Sequence, residues 1–154
     1  MSRYVEKENR DQIGMSLCLD DMIGKDNPVR LIEMIVESMN IAELGFIYSE
    51  PKAMGRKPYN PTDMFKLYVY SYFNGIHSSR KIEQECHRNI EVMWLIGELK
   101  PNHKTIAKFT KENKAAIKAA VQRFALRCDE LNLASKATAA IDVRKFRAQR
   151  LHKI

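Results

Sequence analysis

The sequence lacks any long hydrophobic run. No apolar stretch approaches the roughly 18 residues that a membrane-spanning helix needs. The N-terminus, which begins Met1-Ser2-Arg3-Tyr4, also has no apolar core of a signal peptide. We therefore expect a cytoplasmic protein that has no membrane partner.

Cysteine is scarce, with only Cys18, Cys86 and Cys128, and these three lie far apart in the sequence. The absence of a CxxC pair argues against a zinc ribbon or a redox pair. We expect all three to be reduced thiols in the core.

Three histidines lack both metal-ligand spacing and an evident carboxylate neighbour for general-base work: His77, His87 and His103.

Acidic residues are few in the greater part of the chain. Residues 1–50 carry 5 Lys and Arg against 10 Asp and Glu, whereas residues 51–154 carry 21 against 9. The net charge of +12 in the second part favours a polyanionic partner, because basic groups gain affinity by releasing condensed counterions. A soluble basic surface without a partner is the alternative that charge alone leaves open.

The patterns divide the chain into three parts. Residues 1–14 are polar and are expected to be a flexible N-terminus. Residues 15–135 carry helical patterns, and we expect a mainly α bundle of about six helices there. Residues 136–154 hold a short β-compatible segment, Thr138 to Val143, which we interpret as one strand at the start of a further domain.

Asparagine–proline pairs at positions 27–28 and 60–61 predict two helix starts, because Asn caps free N–H groups and Pro suits a first turn. In the first helix, an apolar stripe predicts one buried face: Ile32, Ile35, Val36 and Met39. The helix from Pro61 to about Asn74 is apolar on nearly every side, which predicts a buried central helix. Gly75 is expected to end it.

A second helix, from Ser78 to about Asn89, follows after a short turn, and together the two predict a helix-turn-helix-like pair. Ile82 and Cys86 mark its inner face. The opposite face could reach base edges, since Arg and Gln suit guanine and adenine. It holds Arg80, Gln84, His87 and Arg88, with Lys81 beside them. An ordinary polar surface of a helix is the alternative interpretation.

Lysines concentrate further along the chain. Residues 100–118 contain six lysines and one acid, Glu112. Lys104, Lys108 and Lys111 share one helical side, with Lys118 in the same spacing, and phosphate contacts are their simplest function. The basic loop residues Arg56 and Lys57 are expected to contribute as well. A break near Asn113 precedes a long helix with one apolar stripe: Ile117, Val121, Phe124, Cys128 and Leu131.

The ordered series of motifs resembles the N-terminal region of bacterial insertion-sequence transposases of the DDE class. The matching segments are Leu19-Asp20-Asp21-Met22-Ile23 with Asn27-Pro28-Val29-Arg30; Gly55-Arg56-Lys57-Pro58-Tyr59-Asn60-Pro61; Ile76-His77-Ser78-Ser79-Arg80-Lys81-Ile82-Glu83 with Arg88-Asn89-Ile90-Glu91; Leu99-Lys100-Pro101-Asn102-His103-Lys104-Thr105-Ile106-Ala107-Lys108-Phe109; and Ala140-Ile141-Asp142 with Lys145-Phe146-Arg147-Ala148.

The resemblance implies that the helical part binds double-stranded DNA at the terminal inverted repeats of a transposable element. It also implies that Asp142, in the strand of an RNase H-like domain, is the first metal-binding carboxylate of a catalytic triad. Val143 departs from the family's usual Gly, and the tail from Gln149 to Ile154 does not resemble the family.

Two-metal phosphoryl transfer needs several carboxylates, and no Asp or Glu follows Asp142. We therefore expect a catalytically incomplete, truncated chain that needs no cofactor, whereas an intact parent would use Mg²⁺. Two alternatives stay open. One is a repressor that pairs with itself or with intact transposase. The other is a small nuclease that uses Asp142 with Asp129 and Glu130.

Overall fold

The computed structural model describes residues 18–47 and 57–131. All regular structure in these two ranges is helical, which confirms the prediction of a mainly α fold. The elements are α1 (Leu19–Met22), α2 (Pro28–Glu37), a 3-10 turn (Ile41–Leu44), α3 (Pro61–Phe73), α4 (Ser79–Arg88), α5 (Ile90–Leu95), α6 (His103–Glu112) and α7 (Lys114–Glu130). The predicted C-terminal strand lies outside the described residues.

Both predicted helix starts are confirmed. The side-chain oxygen of Asn27 accepts a hydrogen bond from the Val29 backbone N–H at 2.9 Å, and Asn60 accepts one from the Thr62 N–H at the same distance. In each helix the following proline occupies the first turn, where its missing N–H leaves no partner unsatisfied. Local capping chemistry therefore sets where α2 and α3 begin.

Helix α3 lies at the centre of the bundle, as its apolar composition predicts. It packs most extensively against α2 and also against α5. The side chains of Phe65, Leu67 and Val69 are buried. Gly75 follows with a φ of 67°, a left-handed conformation that glycine adopts without strain, and it ends the helix as expected. The apolar stripe of α2 is buried against this centre.

Lys66 is a charged residue within this core and is only 4% exposed. Its Nζ lies 2.5 Å from Glu37 Oε1, 3.5 Å from Glu33 Oε1 and 4.0 Å from Asp63 Oδ1. Burial raises the pKa of Asp63, and the nearby ammonium of Lys66 opposes that increase. The charge of Lys66 is thus balanced by carboxylates from α2 and from its own helix.

A second polar network joins the starts of α2 and α5 to the last turn of α3. The Tyr70 hydroxyl donates to Glu91 Oε2 at 2.6 Å, and Asn27 Nδ2 donates to Glu91 Oε1 at 3.0 Å. Asn89 Nδ2 donates to the Tyr70 hydroxyl at 3.1 Å. Burial and the bond to Glu91 raise the pKa of Tyr70, so the phenol stays protonated and remains a donor.

Two of the three cysteines are core thiols as expected. Cys86 and Cys128 are buried, and burial raises the pKa of Cys86 to about 11. The prediction is wrong for Cys18, which is exposed. This residue immediately precedes the short α1, and its Sγ donates to Asp21 Oδ2 at 2.9 Å instead of entering the core.

The predicted break before the long helix is confirmed at Asn113. This residue is buried, and its Oδ1 accepts a hydrogen bond from the Ile47 backbone N–H at 2.7 Å while its Nδ2 donates to the Phe109 carbonyl at 3.0 Å. One amide therefore joins α6, α7 and the chain after the 3-10 turn. The predicted stripe of α7 is buried at Ile117, Phe124 and Cys128. Leu131 is 50% exposed because the helix has already ended at Glu130.

Among the helices of residues 18–47 and 57–131, none has the length and apolar character needed to cross a membrane.

Candidate nucleic-acid interface

The predicted base-contacting face belongs to α4. Ile82 and Cys86 turn inward, and the helix packs against α6 and α5. This orientation leaves one polar side in solvent, which we call the reading face. It consists of Arg80, Gln84, His87 and Arg88, all exposed. Lys81 is exposed on the same helix.

The helices that the sequence predicts as a pair, α3 and α4, each pack mainly against other helices. Helix α3 contacts α2 and α5, whereas α4 contacts α6 more extensively than any other element. The element beside the reading face is therefore α6, which sequence spacing could not indicate. A helix-turn-helix formed by α3 and α4 stays a prediction.

A depression of about 630 Å³ lies where the reading face meets α6. We call it the α4–α6 depression. Five of its lining residues come from successive turns of α4, and the sixth is the first residue of α6. They are Arg80, Glu83, Gln84, His87, Arg88 and His103. Two arginines and two histidines thus surround a single carboxylate, an arrangement that favours an anionic group.

The expectation that no histidine has a carboxylate neighbour is wrong for His103. Its Nδ1 lies 2.8 Å from Glu83 Oε2, a contact between α6 and α4. The two residues are twenty positions apart, so only the packing of the helices brings them together. The hydrogen bond from His103, together with the charges of His103 and His87, lowers the pKa of Glu83. Glu83 is therefore ionised near neutral pH.

The guanidinium of Arg88 forms an ion pair within its own helix. Its Nε donates to Glu85 Oε1 at 2.8 Å, and Nη2 contacts the same oxygen. Hydrogen bonds from Asn89 and Arg88 lower the pKa of Glu85, which keeps the pair charged. The spacing of three residues between Glu85 and Arg88 is a sequence signal for such a pair. Arg80 is consequently the clearer candidate for a base contact.

The lysine face of α6, formed by Lys104, Lys108 and Lys111, is exposed as predicted. Ile106 is buried and holds the other side of the helix against the bundle. Lys108 Nζ lies 3.9 Å from Glu112 Oε1, a surface ion pair of small energetic value. Lys118 belongs to α7, beyond the break at Asn113, and so is not on this face.

A cleft of about 300 Å³ is lined by Lys57 and by Lys108 of the lysine face. The cleft lies between α6 and the segment that leads into α3, and its lining includes Lys57, Tyr59, Lys108 and Phe109. The structure therefore brings together two basic residues that are 51 positions apart in the sequence. Arg56, the other predicted basic residue of this loop, lies outside the described residues.

The three tyrosines of α3 belong to the core or pack against it. Tyr70 is buried, while Tyr68 and Tyr72 are half-buried and pack against the core. The rings of Tyr68 and Tyr72 stack with their centroids 6.4 Å apart. Burial raises the pKa of both hydroxyls.

Carboxylates do not converge into a metal site in the described part of the chain. Within residues 18–47 and 57–131, no group of three or more His, Cys, Asp or Glu side chains could hold a metal ion. Glu130, one residue of the alternative nuclease site, lies 3.1 Å from Arg127 Nη1. Asp142 lies outside the described residues, so its catalytic role stays a prediction.

These features define a helical protein in which two basic surfaces, on adjacent helices, are held by a well-packed core. Residues 17–112 match the family described as Transposase domain (DUF772). The match spans more than half of the chain, and the chain therefore belongs to this transposase domain family. Neither the curated proteins nor the solved structures contain a match to this chain.

Proposed function

We propose that this transposase domain binds duplex DNA, and that its specific target is the terminal inverted repeat of a transposable element. The observation that carries the proposal is the packing of α4 against α6, since these two neighbouring helices carry the reading face and the lysine face. A protein that recognises a DNA sequence needs both kinds of surface, because phosphate contacts position it and base contacts specify the sequence.

The lysine face supplies the sequence-independent part of binding. Lys104, Lys108 and Lys111 are exposed at successive turns of one helix, so they can follow the phosphates of one strand. Each phosphate contact releases condensed counterions and increases the salt dependence of binding. Lys57, in the cleft beside Lys108, extends the same positive surface.

The reading face supplies the specific part. Arg80 and Gln84 are exposed one turn apart on α4, a spacing that lets both side chains enter one groove. Arginine matches the acceptors of guanine, and glutamine matches the donor and acceptor of adenine. Because the Arg88 guanidinium already donates to Glu85, we expect Arg80 to contribute more than Arg88 to discrimination between DNA sequences.

Replacing Arg80 and Lys108 by alanine is expected to have different effects on binding. Arg80→Ala should weaken binding to the preferred duplex by about 1–3 kcal/mol and change binding to a scrambled duplex little. Lys108→Ala should weaken both duplexes alike and reduce the slope of log K against log salt by about 1. The preferred duplex can be selected by the protein from a random pool, and affinities measured by fluorescence anisotropy at several salt concentrations.

Lys25→Ala is the matched control, since Lys25 is exposed in the acidic first part of the chain and far along the sequence from both surfaces. It should leave affinity and salt slope unchanged. Equal losses on both duplexes for Arg80→Ala would show that α4 only anchors the protein. If the selected sequence does not occur at the ends of the element that encodes the chain, the inverted-repeat target is wrong.

A further inference from the structure

The α4–α6 depression contains charges that depend on pH as well as charges that do not. Arg80 and Arg88 carry guanidinium groups, which stay cationic in proteins. Histidine, in contrast, changes its charge between about pH 5 and 8. His87 and His103 both line the depression, one from each helix. The net charge of the depression therefore depends on whether these two imidazoles are protonated.

The effect of pH on the binding of an anionic ligand depends on Glu83. It is the single carboxylate in the lining, and its Oε2 contacts His103 Nδ1 at 2.8 Å. While the imidazole is neutral, the carboxylate contributes a negative charge to the depression between α4 and α6. Protonation of His103 neutralises the pair, and protonation of His87 adds a cation beside it.

We propose that the α4–α6 depression is a binding site for one backbone phosphate of the DNA, held by protonated His87 and His103, so that DNA binding takes up protons. The inference rests on the proposed function and adds a property that the lysine and reading faces alone would not confer. The site lies between α4 and the start of α6, where His87 of the reading face and His103, the first residue of the helix that carries the lysine face, both line the depression.

Proton uptake makes binding tighter at lower pH. A bound phosphate favours the charged imidazole and raises its pKa, and each unit of increase strengthens binding by up to about tenfold once the histidine is protonated. This increase in affinity is fully present below the pKa that the histidine has in the free protein. It is lost as the pH rises through the pKa that the same histidine has in the complex. At constant ionic strength, we expect the wild type to bind duplex DNA at least about fivefold more tightly at pH 6 than at pH 8.

The test compares the wild type with His87→Gln, His103→Gln and the double variant at both pH values. In each single variant, the ratio of the affinity at pH 6 to the affinity at pH 8 should be smaller than in the wild type. In the double variant, this ratio should be less than about twofold. His77→Gln is the matched control, because His77 is exposed but lies outside the depression. It should keep the wild-type ratio.

NMR titration of the imidazole Cε1–H resonances in the unmodified chain provides a readout that does not depend on substitution. The pKa values of His87 and His103 should increase in the DNA complex, while that of His77 should not. Inorganic phosphate at the same phosphate concentration should not produce the increase, because it lacks the additional contacts of the duplex. An equal increase with inorganic phosphate would overturn the assignment to DNA.

Failure of this inference differs from failure of the proposed function. Affinity that does not change between pH 6 and 8, or a double variant with the full wild-type ratio, overturns the phosphate site and leaves DNA binding in place. A chain that binds no duplex at either pH overturns both.

Discussion

Replacing Phe124 by alanine is expected to lower the free energy of unfolding by about 3–5 kcal/mol, the range for loss of a buried phenylalanine. Phe124 is 1% exposed in α7, and its ring centroid lies 6.0 Å from that of Phe73 in α3. Truncation would leave a cavity between these two helices. Urea denaturation, followed by circular dichroism, measures the change.

Leu126→Ala is the control for this substitution on the same helix. Leu126 is 62% exposed, so its truncation should change the free energy of unfolding by no more than about 0.5 kcal/mol. Similar losses for the two variants would mean that α7 does not pack through the face that contains Phe124.

Replacing Lys66 by methionine is expected to lower the free energy of unfolding by about 3 kcal/mol at pH 7. Methionine fills most of the same space, but Glu33, Glu37 and Asp63 then face one another without a cation. Because all three carboxylates retain some solvent contact, the expected loss is at the lower end of the range for breaking a buried ion pair.

The effect of Lys66→Met should depend on pH with a definite sign. Without the ammonium, the pKa of Asp63, which burial already raises, increases further above its unfolded value. A carboxyl group with a raised folded pKa destabilises the protein at higher pH, and this penalty disappears as the pH falls and the group is protonated. The difference in the free energy of unfolding between variant and wild type should therefore be smaller at pH 4 than at pH 7.

Arg123→Met is the matched control for Lys66→Met. Arg123 Nη1 lies 3.8 Å from Glu43 Oε2, but both side chains are exposed, and such pairs contribute at most about 1 kcal/mol. Urea denaturation of both variants at the two pH values compares a buried with an exposed ion pair. A Lys66→Met protein as stable as the wild type at pH 7 would contradict the described network.

Features that depend on neighbours in the sequence could be predicted well. The Asn–Pro pairs define where α2 and α3 begin, because capping requires only the residues of the first turn. The inner face of α4, at Ile82 and Cys86, follows from helical periodicity. Exposure of the reading face and the lysine face follows from the same periodicity.

Features that depend on which helices become neighbours could not be predicted. The sequence did not indicate that α4 would pack against α6, so the contact between Glu83 and His103 was missed. The burial of Lys66 was missed for the same reason, since its closest carboxylate comes from α2. The pair of Glu85 and Arg88, in contrast, was within reach of local spacing rules.

The break at Asn113 has a consequence for how this domain can change during evolution. Because α6 and α7 are separate helices, the break between them can absorb an inserted or deleted residue at their junction, so that Lys104, Lys108 and Lys111 keep their orientation relative to the apolar stripe of α7. In one continuous helix, the same event would displace either the lysines or the apolar stripe by about 100° per residue. Asn113 thus separates the orientation of the lysine face from that of the apolar stripe in the core.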